Sequence, residues 1–194
     1  MAVDKRVMLS LVGVAAVVSV VGGWAISRRG SPPGVAGDDI VIDTAGAVQT
    51  PGLGTNAAVR GRPLPTVDLV GLGGTVVSTA DLLGQPLVIN TWYADCQPCE
   101  KEMPDLALVQ RELGDSVRFV GVDTQDPESK MVQFARAHGV AYELLRDPDG
   151  RFTSAVGIAT LPVTLLVTAD GTIVEQSGVL DAAELRSLID EHLV

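Results

Sequence analysis

Hydrophobic and polar positions change period repeatedly along the chain, and each change marks an element. Residues 7–26 form a run of twenty without a charge, framed by Lys5-Arg6 and Arg28-Arg29, long enough to cross the hydrocarbon core of a bilayer. The next stretch, to residue 62, is rich in Gly, Ala, Pro and Thr and keeps no period, the composition of a flexible tether. From residue 63 onward, short β-branched runs alternate with helical spacing. Val67-Asp68-Leu69-Val70 and Thr75-Val76-Val77 flank Gly71-Leu72-Gly73-Gly74, which predicts a hairpin, and residues 79–83 predict a short helix. Pro86-Leu87-Val88-Ile89-Asn90-Thr91 reads as a buried strand, while Met103, Leu106, Val109 and Leu113 recur at helical spacing. A second apolar strand over 117–122 completes a β-α-β unit, which implies parallel pairing.

Further along, Asp126 as N-cap and Pro127 at the first helical position predict a helix carrying Met131, Phe134, Ala135 and His138 on one face. Residues 142–145 form a brief strand, 147–150 a turn and 152–156 a short helix. Two β-branched runs then flank Asp170-Gly171, a hairpin turn signal. Asp181-Ala182-Ala183-Glu184 reads as a capping box that opens a last helix, with Leu185, Leu188, Ile189 and His192 turned inward. The organisation expected is an anchor over 1–27, a linker over 28–62 and one α/β domain over 63–194.

Charge and flanking chemistry refine this picture. A net charge of −10 leaves no basic groove for a phosphate backbone, so no nucleic-acid partner is expected. The apolar run ends in Gly22-Gly23-Trp24, with a tryptophan suited to the membrane interface, and exceeds the apolar region of a cleaved signal peptide. An uncleaved transmembrane helix is favoured over a cleaved signal and over a buried soluble helix. Two basic residues stand on each side, so charge alone does not orient it. A short tail inside and a long acidic domain outside is the default.

The two cysteines of the chain, Cys96 and Cys99, form one Cys-x-x-Cys unit at the strand-to-helix junction. A thiol there faces free helix N–H groups and the positive end of the helix dipole, which favour thiolate and make Cys96 the nucleophile; Cys99 lies one turn on. Zinc would need four ligands, and only His138 and His192 remain, far apart. Haem attachment needs His after the second cysteine, where Glu100 stands. A structural disulfide closing so small a loop constrains an unfolded chain poorly. Redox chemistry is the reading that remains, with no cofactor or metal expected.

The composite Asn90-x-Trp92-x-x-x-Cys96-Gln97-Pro98-Cys99, followed by Glu102-Met103-Pro104 and later by Gly157-Ile158-Ala159-Thr160-Leu161-Pro162, resembles the TlpA/ResA-like branch of the thioredoxin superfamily over about residues 63–194. The resemblance implies a thioredoxin-like sandwich, a central mixed sheet flanked by helices, with an N-terminal β-hairpin extension and one transmembrane helix before it. It implies Cys96 as the attacking and Cys99 as the resolving thiol, Trp92 packed beside them, and Pro162 as a cis-proline that leaves the backbone at Leu161 free to pair with a bound peptide; an ordinary trans turn proline is the alternative. Thioredoxin has a buried aspartate where this chain has Asn90, which cannot titrate. Glu102 is the candidate replacement, taking the proton of Cys99, with a solvated surface glutamate as the alternative.

Two features bear on the direction of the exchange, and the first departs from relatives of this kind. Asp95 places a carboxylate just before Cys96, which disfavours thiolate and the oxidising role. Gln97-Pro98 lacks the histidine of strongly oxidising Cys-Pro-His-Cys enzymes. Together these favour the reducing direction, and with the apolar run the resemblance then implies a membrane-tethered extracytoplasmic reductant of protein disulfides, for example in apocytochrome c, supplied with electrons by a membrane thiol transporter. The alternatives are a disulfide oxidase or isomerase for exported proteins and a peroxiredoxin-type peroxidase, which would want Thr or Ser where Tyr93 stands.

Overall fold

The computed structural model describes residues 55–194, so the anchor over 1–27 and the linker to residue 54 lie outside the described residues. Among the described residues no helix is long and apolar enough to cross a membrane. The strands are β1 (Asp68–Val70), β2 (Val76–Ser78), β3 (Leu87–Trp92), β4 (Arg118–Asp123), β5 (Glu143–Arg146), β6 (Val163–Val167) and β7 (Ile173–Ser177). The helices are α1 (Gln97–Leu113), α2 (Glu128–Ala137), α3 (Arg151–Val156) and α4 (Ala182–His192). One seven-stranded sheet runs in the order β2-β1-β5-β4-β3-β6-β7. The central strands β3, β4 and β5 are parallel, whereas β6, β7 and the β1–β2 hairpin join antiparallel. The hairpin is therefore an edge of the main sheet, attached through Val70 opposite Arg146.

All six residues of β3 are buried, as a central strand covered on both faces requires. Its period of two sorts them. Val88 and Trp92 belong to one core with Met103, Leu106, Val109, Met131, Ala135, Leu185 and Ile189, from α1, α2 and α4. Leu87 and Ile89 join a second core with Leu69, Leu82, Val122, Phe152 and Leu165. Asn90 falls on the α1 face with Val88 and Trp92, so a polar side chain enters an otherwise apolar layer. Trp92 is fully buried and stacks on Phe134 at 5.2 Å between ring centroids; truncating such a residue to alanine costs about 3–5 kcal/mol. Gly121 makes room for it, because a Cβ there would come 3.0 Å from Trp92 Nε1.

Two local expectations differ from the structure. Asp126 does not cap α2: Pro127 occupies the N-cap position without a side-chain cap, because the Asp126 carboxylate is drawn to the N–H of Ala94 instead. Residues 55–62, read as the end of the tether, pack against the domain. Val59 is buried in the second core, the Gly61 N–H donates to the Ile173 carbonyl at 2.7 Å, and the Ile173 N–H donates to the Arg62 carbonyl at 2.9 Å. The open edge of β7 orders this segment.

Candidate active site

β3 ends at Trp92, and four residues later Cys96 caps α1, its Sγ accepting the Cys99 N–H at 3.3 Å. Pro98 sits in the first turn, where no intrahelical N–H is needed. Cys96 and Cys99 are joined as a disulfide with Cα atoms 5.2 Å apart. Gln97 and Pro98 are exposed between them, yet Cys96 is only 4% and Cys99 0% exposed. In this oxidised state both cysteines belong to the same buried core as Trp92 and Met103.

Beneath the pair, α1 carries Glu102 on the same buried face as Cys99, one turn further on. Glu102 is 1% exposed. Asn90 Nδ2 donates to Glu102 Oε1 at 2.6 Å and to Thr164 Oγ1 at 3.0 Å, and the Leu180 N–H donates to Glu102 Oε2 at 3.3 Å. These donors favour the carboxylate, but loss of hydration outweighs them, and the Glu102 pKa is raised from 4.5 to about 7. The buried Tyr142 hydroxyl, whose partner is Met103 Sδ at 3.8 Å, is pushed upward mainly by desolvation and further by the Glu102 charge.

On the outer side the chemistry is different. Asp95 is exposed and bound by Lys130 Nζ at 2.7 Å. The same ammonium meets Asp126 Oδ1 at 2.8 Å, and Asp126 Oδ2 accepts the Ala94 N–H at 2.6 Å. Both carboxylates raise the Lys130 pKa. An ammonium therefore compensates the Asp95 charge that stands just before Cys96. Behind them Asp123, at the end of β4, accepts the N–H groups of Gln125 and Asp126 with Oδ1. Its Oδ2 has no donor among the described residues. Burial raises its pKa from 3.8 to about 6 with help from the Asp126 charge, while Asp126 is lowered despite partial burial, by the Ala94 N–H and Lys130.

The Leu161–Pro162 peptide is cis, and Leu161 packs half-buried against the core that holds both cysteines. The structure thus brings Cys96, Cys99, Glu102, Asn90, Trp92 and Leu161 around one core and leaves Asp95, Gln97 and Pro98 at its rim. His138 ends α2 with Nδ1 2.8 Å from the Phe134 carbonyl, and His192 lies near Glu175 at 3.7 Å; both stand apart from the disulfide's own hydrogen bonds. Among the described residues, no group of three or more His, Cys, Asp and Glu side chains is placed to hold a metal. Thr164, Asp123 and Lys130 were not legible as site residues. Only the i, i+4 spacing of Asp126 and Lys130 hinted at the last of them.

Residues 60–176 match the model of the AhpC/TSA family, a span covering both cysteines and Pro162. The chain belongs to the AhpC/TSA family. Within that family, the chain is 29% identical over 119 residues to the thiol-disulfide oxidoreductase ResA of Bacillus thuringiensis, covering 60% of this chain and 68% of that protein. ResA of Bacillus subtilis is 25% identical over 141 residues, covering 72% and 77%. In structure, this family member is similar to the thioredoxin domain of a thiol-disulfide oxidoreductase from Bacteroides vulgatus, with a TM-score of 0.64 at 22% identity over 71% of this chain and 100% of that domain. It is a ResA/TlpA-like member of the thioredoxin superfamily and a thiol-disulfide oxidoreductase.

Proposed function

We propose that this oxidoreductase reduces disulfides of exported proteins from a membrane tether, with Cys96 attacking and Cys99 resolving. The observation that carries the reading is a buried carboxylate of near-neutral pKa one helical turn from the inner cysteine of a Cys-x-x-Cys pair. In the reduced enzyme the Cys96 thiolate attacks one sulfur of the client disulfide; a mixed disulfide forms and the other client sulfur leaves as thiolate. Glu102 then accepts the Cys99 proton. The Cys99 thiolate attacks Cys96 Sγ, releasing the second client thiolate, which takes up a proton. Two electrons have passed to the client, and the enzyme is left as the Cys96–Cys99 disulfide. A membrane thiol transporter returns it to the dithiol by the same exchange.

The reductive direction is supported by Gln97-Pro98 between the cysteines, and apocytochrome c is a client of the required kind. The 7–26 run supports a single membrane span with the domain outside the cytoplasm. Cys96→Ser should abolish insulin reduction and trapping alike, whereas Cys99→Ser should accumulate mixed disulfides with clients. Trapping by Cys96→Ser but not by Cys99→Ser would reverse the roles. A redox potential near about −120 mV, rather than near the about −270 mV of thioredoxin, would turn the assignment towards an oxidase. Protease added outside intact cells should cleave between residues 30 and 54; an uncut chain would place the domain inside.

A further inference from the structure

The segment leading into the domain ends its path on the loop before the cis-proline. Asn56 Oδ1 accepts the N–H of Ala159 at 2.7 Å and that of Thr160 at 2.8 Å. Next to it, the Ala57 N–H donates to the Gly157 carbonyl at 2.8 Å. Gly157 closes α3 at φ +76°, and a Cβ added there would come 2.5 Å from Ala57 Cβ, so the glycine also opens the passage for this strap. The strap is held from behind. Val59 is buried, its N–H reaching Gln176 Oε1 at 3.3 Å, and the Arg60 guanidinium donates to the Val174 carbonyl at 2.6 Å and pairs with Glu175.

Ala159 and Thr160 are exposed, and one side-chain oxygen satisfies both of their N–H groups. The next N–H, that of Leu161, has no acceptor among the described residues, while the Leu161 side chain packs against the core of the cysteines. Fixing the two preceding peptide units pre-organises this donor for an extended peptide and lowers the ordering cost of binding. We propose that Asn56 is a positioning residue for the client, holding the Ala159–Thr160 backbone so that Leu161 presents its peptide group to an extended, disulfide-bearing polypeptide at Cys96. The inference rests on the oxidoreductase reading above. It assigns a role in substrate binding to a residue outside the stretch that carries the chemistry.

The test compares two oxidants of the reduced full-length enzyme, a short peptide closed by one disulfide and 5,5′-dithiobis(2-nitrobenzoate), which has no peptide backbone. Asn56→Ala should raise KM for the peptide about five-fold, the size of one net hydrogen bond, with kcat unchanged and with the small disulfide reacting at the wild-type rate. Asn56→Asp keeps the acceptor oxygen and should restore the peptide KM. Equal slowing with both oxidants would mean a general structural role and overturn the proposal, as would an unchanged peptide KM or an Asn56→Asp as impaired as Asn56→Ala. If the wild type reduces neither oxidant, the oxidoreductase reading itself fails; if it reduces both and Asn56→Ala equals it, only the role of Asn56 does.

Discussion

Glu102 and Asp95 are carboxylates placed three residues after one cysteine and one residue before the other, yet the fold gives them opposite surroundings. Glu102 is taken out of water, accepting from Asn90 Nδ2 and the Leu180 N–H with no cation among its hydrogen-bond partners, and its pKa moves to about 7. Asp95 stays in water and meets Lys130. A carboxylate on the inner side is therefore able to exchange a proton near neutral pH, and one on the outer side remains a compensated charge. Distance along the chain from a cysteine does not tell the two apart. The face of α1 and the packing of β3 beneath it do.

Breaking the inner side should have the largest effect. The Glu102 pKa is raised in the folded state, from 4.5 to about 7, so the folded protein holds a proton that the unfolded chain releases earlier. The resulting stability is fully present below the unfolded pKa of 4.5 and is lost as pH rises through about 7. At about 1.36 kcal/mol per pKa unit, the loss is on the order of 3 kcal/mol. Urea denaturation of Glu102→Gln between pH 4 and 9 should show that slope removed, and resolution of the mixed disulfide by Cys99 should slow and lose its dependence on pH near 7. Parallel stability curves for wild type and variant would place Glu102 in water and outside the mechanism.

The inner side was more legible in the sequence than the outer one, for a physical reason. The strand into Trp92, the helix after Cys99, the Asp170-Gly171 hairpin and the Asp181 capping box are each set by contacts a few residues apart, which periodicity and cap chemistry express directly. Glu102 was singled out by the resemblance, as an acid near Cys99 where Asn90 cannot titrate, but its burial was not legible, since a solvated glutamate fits the same spacing. Asp126 was misread because its partner, Ala94, lies 32 residues earlier, and a local cap and a distant N–H compete for the same oxygen. The strap over 55–62 carries no period of its own and takes its order from the edge of β7, so composition alone describes it as tether. Gly121 likewise has meaning only once Trp92 lies across it.

A smaller effect is expected at Asp123, at the end of β4 behind Asp126. Its pKa is raised from 3.8 to about 6, so it too contributes stability that is lost as pH rises, here through about 6. The shift of Asp126 in the opposite direction offsets part of this, because the two carboxylates titrate as one unit. Asp123→Asn preserves the acceptor for the Gln125 and Asp126 N–H groups and adds an amide donor towards Asp126. It should be more stable than wild type at pH 7.5, by on the order of 1 kcal/mol after solvent screening, and indistinguishable from it near pH 4. A variant less stable than wild type at both pH values would show that the ionised pair stabilises the loop.

The smallest effect belongs to Lys130, because exposed ion pairs are screened by water and salt. Its ammonium lies between Asp95 and Asp126, so removing it leaves the carboxylate next to Cys96 uncompensated. Developing a thiolate beside an unpaired carboxylate is harder, and Lys130→Met should slow alkylation of Cys96 in the reduced enzyme at pH 7 on the order of two-fold at low ionic strength. Added salt of about 1 M, where the screening length is about 3 Å, should erase most of that difference. Asp95→Asn in the same chain should restore the rate, since the charge that Lys130 compensates is then gone. If the slowing by Lys130→Met persists in the Asp95→Asn background, the lysine acts through Asp126 and the Ala94 N–H, shaping the loop rather than compensating a charge; the cycle of single and double variants separates these routes.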